Sequence, residues 1–168
     1  RMVSVSAIFD KDAVGGEQVV NDIISAYEFA DNDVYRAVTH NKGVMNGTIS
    51  VANATGQDSR AIEAAAHAYA SHTGKYRSLT KWEKNNSGNL VGIFEIPLSV
   101  GIVGGVTNDH PIAKICTKIL KLQNVQELAC IMASTGLAQN FAAMRALVTE
   151  GIQKGHMKLH ARKQASNS

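Results

Sequence analysis

The residue of this chain best suited to do chemistry is Lys42, because no acidic residue lies between positions 34 and 57. The uncharged segment 43–54 that follows is predicted to be a helix buried on most sides. An ammonium group that loses its hydration there needs a carboxylate or an anionic ligand to compensate. Asp58 is the first carboxylate downstream and is therefore its natural partner. Because Asp58 also precedes a predicted helix, its carboxylate could instead cap that helix, or serve both roles.

Two further candidates, His156 and His160, lie one helical turn apart in the C-terminal tail. Histidines at this spacing can bind a metal ion, but the sequence has no H-E-x-x-H motif and no third ligand at usable spacing, so we expect no metal site. The tail also contains a cluster of basic residues, Lys154, Lys158, Arg162 and Lys163. These could contact phosphate groups or could form a solvated helical face.

The four remaining histidines are predicted to be structural. They are His40, His67, His72 and His110. His67, in an alanine-rich segment, is predicted to be a hydrogen-bonded core residue. Cys116 and Cys130 lie on strongly helical segments with no second pair of cysteines, so we expect two reduced core residues rather than a disulfide or a zinc site.

The composition is typical of a soluble globular protein. The 168 residues are 45% hydrophobic and 18% charged, which suits one compact domain followed by a tail. A formal net charge of +3 is too small and too scattered to indicate nucleic-acid binding. No apolar run reaches the ~18 residues of a membrane span, and no signal-type segment is present, so we expect a cytoplasmic protein without membrane contact. The chain opens at Arg1 directly into a strand pattern, which indicates a piece of something longer.

Hydrophobic periodicity predicts an α/β protein, more narrowly α+β, in which buried helices pack on a small mixed or antiparallel sheet. Strands are predicted at 2–9 and in a hairpin of 76–84 and 89–98 with the four-residue loop 85–88. Helices are predicted at 17–30, 43–54 with its N-terminus at Lys42, 58–71, 111–120 and 125–152. The glycine-rich segment 100–107 is predicted to be a turn, and it lacks the G-x-G-x-x-G spacing of a dinucleotide-binding loop.

Six blocks of sequence carry a family resemblance. They are HNKGVMNG at 40–47, ATGQD at 54–58, AHAYA at 66–70, VGIVGG at 100–105, GLAQN at 136–140 and EGIQKGHM at 150–157. In this order they resemble the class II 3-hydroxy-3-methylglutaryl-CoA (HMG-CoA) reductases, over a match from about Gly15 to Arg162. Six ordered blocks argue against chance similarity, although any one alone is weak.

The resemblance implies a two-step, four-electron reduction of the thioester of HMG-CoA by NADH or NADPH. The reaction passes through mevaldehyde to mevalonate and free CoA, or runs in the reverse direction. The implied fold is the large, HMG-CoA-binding domain at residues 1–152, with residues 153–168 as the start of the C-terminal closing segment. A homodimer or higher homo-oligomer, in which a second copy completes the site, is implied as well. No metal, nucleic acid or membrane partner is implied.

The resemblance also assigns three catalytic residues. By matching motif, Lys42 is the catalytic lysine, Asp58 the aspartate that orders it, and His156 the histidine that serves the CoA leaving group. A fixed ammonium stabilises the negative charge that hydride addition puts on the thioester oxygen. An imidazolium titrating near ~6.5 can protonate a thiolate whose thiol has a pKa near ~8.5.

Five further residues are implied to bind the substrate. Arg36 and Asn46 would hold the glutaryl carboxylate and nearby oxygens, whereas Gln139, Asn140 and His160 would line the CoA side of the pocket. Two alternatives stay open. Arg36 could be a surface residue, and the adjacent amides at 139 and 140 could form a polar network in the core, because neighbouring positions of a helix point in different directions.

Two parts of the family pattern have no counterpart in this chain. Neither the catalytic glutamate nor the small NAD(P)-binding domain has a matching motif, and Glu83 lies in a segment of alternating charge, typical of a solvated strand face. A second interpretation is therefore a catalytically incomplete acyl-CoA-binding fragment. A third, a nucleic-acid binder acting through the basic tail, is disfavoured because aromatic residues are only 5% of the chain and none lies between Lys154 and Lys163.

Overall fold

The protein, a computed structural model, is described for residues 1–151, apart from the side chains of Val106 and Asn108. The strands are β1 (Met2–Phe9), β2 (Thr80–Lys84) and β3 (Leu90–Pro97). The helices are α1 (Lys11–Val14), α2 (Glu17–Asn32), α3 (Val34–Ala54), α4 (Ser59–Ala70), α5 (Val106–Asp109), α6 (Pro111–Leu120) and α7 (Val125–Val148). The predicted α+β fold, with helices packed on a small sheet, is confirmed.

The sheet has three antiparallel strands in the order β1-β3-β2. The predicted hairpin of β2 and β3 is confirmed, but β2 begins at Thr80 rather than at the predicted Tyr76. The loop has one residue more than predicted, because Asn89 precedes β3, and its carbonyl accepts from the Asn85 backbone amide at 3.0 Å across the loop. Along β3, every second residue is buried, and these residues, with Trp82 of β2, form the buried face of the sheet, on which α7 packs. The alternation follows from the two-residue period of a strand.

Helix α3 is one continuous helix and starts much earlier than the sequence pattern predicts. It begins at Val34, because the carboxylate of Asp33 accepts a hydrogen bond from the Arg36 backbone amide at 2.7 Å and caps the first turn. The prediction that a helix begins at Lys42 is therefore wrong. Lys42 lies in the middle of a helix, and its backbone amide is bonded within it, so no helix N-terminus is available beside its ammonium group.

The last described helix, α7, ends before the predicted position. Its final residue is Val148, and the Thr149 side chain turns back to donate to the Arg145 carbonyl at 2.7 Å. Gly151 follows with a φ of 78°, a left-handed conformation that ends a helix and favours glycine. The predicted endpoint, Ile152, lies outside the described residues.

Helices α3 and α7 pack against each other at two glycines. A Cβ atom placed on Gly47 would lie 2.5 Å from the Thr135 carbonyl oxygen, and one on Gly136 would lie 2.5 Å from Thr48 Oγ1. The Thr48 hydroxyl also donates to the Met132 carbonyl at 3.3 Å, across the helix pair. Hydrogen atoms in place of side chains thus allow the two backbones to approach closely, with the buried core beneath them.

This contact predicts opposite effects for two glycines of the same helix. Gly47→Ala should lower the free energy of unfolding by about 1 to 3 kcal/mol, because the backbone of α7 must shift to admit the methyl group. Gly43→Ala meets nothing within 4 Å and should be neutral or stabilising by up to about 1 kcal/mol, from helix propensity. Urea unfolding of both variants measures the difference. Equal effects would contradict the close approach at Gly47.

Candidate active site

The middle of α3 presents two of the predicted site residues together. Lys42 and Asn46 are both exposed, and their four-residue spacing places them on one side of the helix. Arg36, half-buried, lies nearly two turns earlier, and its guanidinium donates to the Thr39 hydroxyl at 3.0 Å. Burial lowers the pKa of Arg36 from its ordinary value. A cation that has lost part of its hydration gains more from an anionic ligand than a fully hydrated one.

Gln139 of α7 lies next to this part of α3. A Cβ atom on Gly47 would be 2.9 Å from the Gln139 Cβ, so the Gln139 side chain begins beside the residue that follows Asn46. The Gln139 side chain is exposed. The structure therefore brings Gln139 to the same region of the surface as Asn46, through the glycine contact between the helices.

Asn140, in contrast, is buried in the core. Its Oδ1 accepts hydrogen bonds from the Thr80 hydroxyl at 3.0 Å and from the Trp82 indole nitrogen at 2.8 Å. These contacts agree with the polar-network alternative for the 139–140 pair. The separate assignment of Asn140 to the CoA side of a pocket stays a prediction.

Asp58 caps α4, as one of its two predicted roles requires. Its carboxylate accepts from the backbone amides of Arg60 and Ala61, both at 3.1 Å, while the side chain keeps 60% of its exposure. A carboxylate at this position is stabilised by the unpaired amides and the positive end of the helix. The cap fixes the carboxylate and leaves it accessible to a second partner.

The structure does not bring Lys42 and Asp58 together within one chain. From Lys42, α3 continues to its end at Ala54, and a rise of ~1.5 Å per residue makes that distance about 18 Å. Among the ion pairs of the described residues, none includes Lys42. Asp58, which caps α4 beyond the end of α3, is thus not paired with Lys42 within the chain, and its assignment as the residue that orders Lys42 stays a prediction.

The turn that carries Asp58 is held by a residue that the sequence reasoning did not single out. The Gln57 side chain forms two hydrogen bonds with Gly101, donating to its carbonyl at 2.8 Å and accepting from its amide at 2.9 Å. The Thr107 hydroxyl adds a bond to the Thr55 carbonyl at 3.1 Å. The glycine-rich segment 100–107 thus supports the ATGQD turn. The two blocks of the family resemblance at 54–58 and 100–105 were the available signal.

His40 is buried beneath the exposed side of α3, and its Nε2 lies 2.7 Å from Thr80 Oγ1. Burial, together with the positive charge of Arg36, lowers the pKa of His40 to about 4, although Asp31 opposes the shift. The imidazole is therefore neutral at ordinary pH, as a structural histidine should be. His67 is hydrogen-bonded, with its Nδ1 2.8 Å from the Tyr76 hydroxyl, but it is half-buried rather than in the core.

The two cysteines are free thiols, but neither is a core residue. Cys130 is exposed and Cys116 is half-buried. Helix α7 buries Ala129 and Met132, and a rotation of ~100° per residue turns Cys130 toward solvent. In α6 only Ala113 is buried. The prediction of two core cysteines is therefore wrong.

Residues 1–151 contain neither a metal-binding cluster nor a membrane-spanning helix. No group of three or more histidine, cysteine, aspartate or glutamate side chains is arranged to hold a metal ion there. In the same range, no helix combines the length and the apolar character needed to cross a bilayer. His156 and His160 lie outside the described residues, as does the segment 153–168.

Comparison with known proteins decides the family. The profile of the family described as hydroxymethylglutaryl-coenzyme A reductase matches residues 2–161. The chain belongs to the HMG-CoA reductase family. It is 56% identical over 162 residues to the 3-hydroxy-3-methylglutaryl-coenzyme A reductase of Archaeoglobus fulgidus, covering 96% of this chain and 37% of that protein. It is 46% identical over 142 residues to a probable reductase of Borreliella burgdorferi, covering 84% of this chain and 32% of that protein.

Solved structures of HMG-CoA reductase from Streptococcus pneumoniae share the fold. One matches with a TM-score of 0.87 and 41% identity, covering 96% of this chain and 40% of that chain. Another, a class II enzyme bound to NADPH in open conformations, matches with a TM-score of 0.86 and 42% identity, covering 96% and 41%. The chain therefore spans less than half the length of these HMG-CoA reductases.

The buried imidazole of this HMG-CoA reductase family member predicts a pH-dependent stability. The unfolded chain binds a proton at His40 below about pH 6.5, but the folded chain does so only near pH 4. Between these values the unfolded state holds more protons, so the free energy of unfolding falls as the pH falls, by about 3 kcal/mol in total.

Urea unfolding between pH 4 and pH 7 checks this dependence. His40→Gln, whose amide can donate to Thr80 but does not titrate, should remove this part of the pH dependence. All other titrating groups are shared by the two proteins, so the comparison isolates one imidazole. An unchanged slope in the variant would show that His40 is not the group that titrates.

Proposed function

We propose that the chain is the substrate-binding part of an NAD(P)H-dependent HMG-CoA reductase, with residues 1–152 as the large domain and 153–168 as the start of the closing segment. The observation that carries the proposal is the family match at 56% identity, which runs through Lys42 and Asp58. The arrangement on α3 supports it, because an exposed cation, an exposed amide and the nearby Gln139 can bind a polar, anionic acyl group.

Lys42 is the proposed catalytic residue. When a hydride adds to the thioester carbon, the carbonyl oxygen becomes an oxyanion, and an ammonium placed beside it in a water-excluded site stabilises that charge. Such a lysine also needs a carboxylate nearby, because desolvation otherwise favours its neutral form. Asp58 is the proposed carboxylate.

His156 is proposed to serve the leaving group. Collapse of the hemithioacetal breaks the carbon–sulfur bond and releases CoA as a thiolate. An imidazolium can donate its proton to that sulfur, since a thiol pKa of ~8.5 lies above a histidine pKa of ~6.5. Arg36 and Asn46 would hold the glutaryl end of the substrate, with Gln139, Asn140 and His160 on the CoA side.

NADH or NADPH would supply the hydride, but residues 1–151 do not fit a dinucleotide site. Their sheet is antiparallel, whereas the dinucleotide fold places the pyrophosphate at a helix that follows a strand of a parallel sheet. The glycine-rich segment 100–105 leads from irregular chain into the four-residue α5. The described residues are therefore assigned to the acyl-CoA alone.

We further propose that Lys42 pairs with Asp58 of the partner subunit in a homodimer. The length of α3 keeps the two residues apart within one chain, so their pairing requires a second copy. In an antiparallel pair of identical helices, residues equidistant from the two-fold axis face each other. Because Asp58 follows the C-terminal end of α3, an antiparallel arrangement of the two helices would bring Asp58 of the partner subunit toward Lys42.

Exposed apolar side chains near the start of α3 support an interface on this side. Tyr35 is 84% exposed, Val38 46%, and Phe29 of the preceding helix 61%. Large apolar side chains clustered in this way are more typical of a covered surface than of a free one. Val38 and Tyr35 lie one and two turns before Lys42, so a partner that covered them would also exclude water from the ammonium group.

Calorimetric titration of HMG-CoA into the chain tests the proposed function. We expect saturable binding that Lys42→Ala weakens by about tenfold or more, because a charge-assisted contact to the ligand is lost. Lys114→Ala, which removes an exposed lysine of α6, is the matched control and should bind as the unaltered chain does. Binding of CoA alone with equal affinity would favour the incomplete acyl-CoA-binding fragment instead. No binding of either ligand would contradict the proposal.

Mixing two binding-deficient variants tests the pairing between subunits. Lys42→Ala and Asp58→Ala chains, unfolded and refolded together, should regain about a quarter of the HMG-CoA sites, because half of random dimers are mixed and each mixed dimer has one intact site. Each variant refolded alone is the control. If both residues of a site came from one chain, the mixture would contain no intact site and would bind no better than either variant.

A further inference from the structure

Two consecutive residues of α3, directly before Lys42, are tied to one short segment of the chain, residues 77–80. His40 Nε2 lies 2.7 Å from Thr80 Oγ1. Asn41 uses both ends of its amide, since Nδ2 donates to the Arg77 carbonyl at 2.8 Å and Oδ1 accepts from the Leu79 backbone amide at 2.9 Å. We call these three hydrogen bonds, between His40, Asn41 and residues 77–80, the α3 clamp.

The residues of the α3 clamp are buried, and the donor and the acceptor of its His40–Thr80 hydrogen bond can be assigned. His40 is 3% exposed, Asn41 0% and Thr80 2%. Because the Thr80 hydroxyl donates its one proton to Asn140 Oδ1, it must accept from His40, which therefore carries its proton on Nε2. Buried hydrogen bonds are expensive to break when water cannot replace the lost partner. The α3 clamp thus fixes both the rotation of this turn about the helix axis and its position along that axis.

The remaining nitrogen of the ring, His40 Nδ1, is buried and has no hydrogen-bond partner among the described residues. Its lone pair would have to be protonated before the ring could become a cation, and burial opposes that. The α3 clamp therefore holds the turn next to Lys42 without adding a positive charge close to Arg36 and Lys42. A lysine or arginine in place of His40 could not do this.

The ammonium group of Lys42 is not held by an ion pair with any described residue. Lys42 is exposed. The place that its ammonium group can reach is consequently set by its own backbone, which follows immediately after the two clamped residues.

We propose that His40 and Asn41 are positioning residues for Lys42, holding it through the α3 clamp at the height that the bound acyl group requires. The inference rests on the proposed function, in which Lys42 meets the thioester oxygen. A misplacement of about 1 Å at such a contact can cost up to ~100-fold in rate, so a rigid turn behind the lysine has a direct consequence for the chemistry.

A double-mutant cycle on HMG-CoA binding tests the proposal. Thr80→Val removes the hydroxyl at nearly constant shape, and Thr80→Ser keeps it. We expect Thr80→Val to weaken binding about tenfold in the unaltered chain and to have no further effect in the Lys42→Ala background, because the α3 clamp acts through that lysine. Thr80→Ser should restore the affinity. Equal losses in both backgrounds would mean a structural role only and would overturn the proposal.

Two further variants, Ile23→Val and Asn41→Leu, separate loss of the α3 clamp from general loss of stability. Ile23→Val, in the core of α2, lowers stability by about 0.5 to 1.5 kcal/mol without touching the α3 clamp, and it should leave HMG-CoA affinity unchanged. Asn41→Leu, which removes the other two bonds of the α3 clamp, should reproduce the Thr80→Val result. If Ile23→Val weakens binding as much as they do, general destabilisation explains the effect and the proposal falls.

Amide hydrogen exchange without ligand separates this inference from the proposed function. In Asn41→Leu, whose lost bonds are to Arg77 and Leu79 alone, protection of the amides at 40–46 should fall, while that of α7 should not. If the unaltered chain fails to bind HMG-CoA but this local loss is seen, the proposed function is wrong and the α3 clamp stands. If protection at 40–46 is unchanged, the α3 clamp does not hold this turn, whatever the chain binds.

Discussion

The close approach of α3 to α7 is the constraint on which the rest of this structure depends. Gly47 and Gly136 leave room for only hydrogen atoms where the helices meet, so the two backbones have a single way to fit together. That fit decides which side of α3 is buried and which is exposed. It also places Gln139 beside Asn46, although nearly a hundred residues separate them in sequence. The arrangement of the candidate site is thus a result of packing in the core.

The length of α3 has the second large effect. Because the helix is continuous from Val34 to Ala54, Lys42 in its middle lies about 18 Å from its C-terminal end, after which Asp58 follows. A rigid rod of this kind cannot bend to close a site within one chain. In the proposed dimer it aligns with a second copy, and its exposed side has both apolar residues that a partner could cover and the cation proposed to be catalytic. The same rigidity makes the α3 clamp effective, because a fixed turn determines where its next residue lies.

Local signals in the sequence were sufficient for most of the fold. The alternation of Met2–Phe9 predicts β1, Pro111 marks the start of α6, and Asp58 marks that of α4, because each signal acts within one turn or one strand. The start of α3 was missed for a physical reason. His40 and Asn41 are polar but buried, so they interrupt the apolar periodicity, and their burial depends on residues 77–80. The separation of Lys42 from Asp58 was missed for the same reason. A sequence motif identifies the two residues but does not show that the second half of a long helix lies between them.

A disulfide cross-link between positions 42 and 58 tests the central claim most directly, namely that these residues meet only between two chains. The variant Lys42→Cys, Asp58→Cys, made with Cys116→Ser and Cys130→Ser, would be oxidised and its mass measured under non-reducing conditions. A disulfide requires Cα atoms within about 7 Å, far less than the helix allows inside one chain. We expect a covalent dimer that reduction returns to single chains. A disulfide closed within a single chain, or no cross-link in a protein that sediments as a dimer, would contradict the account.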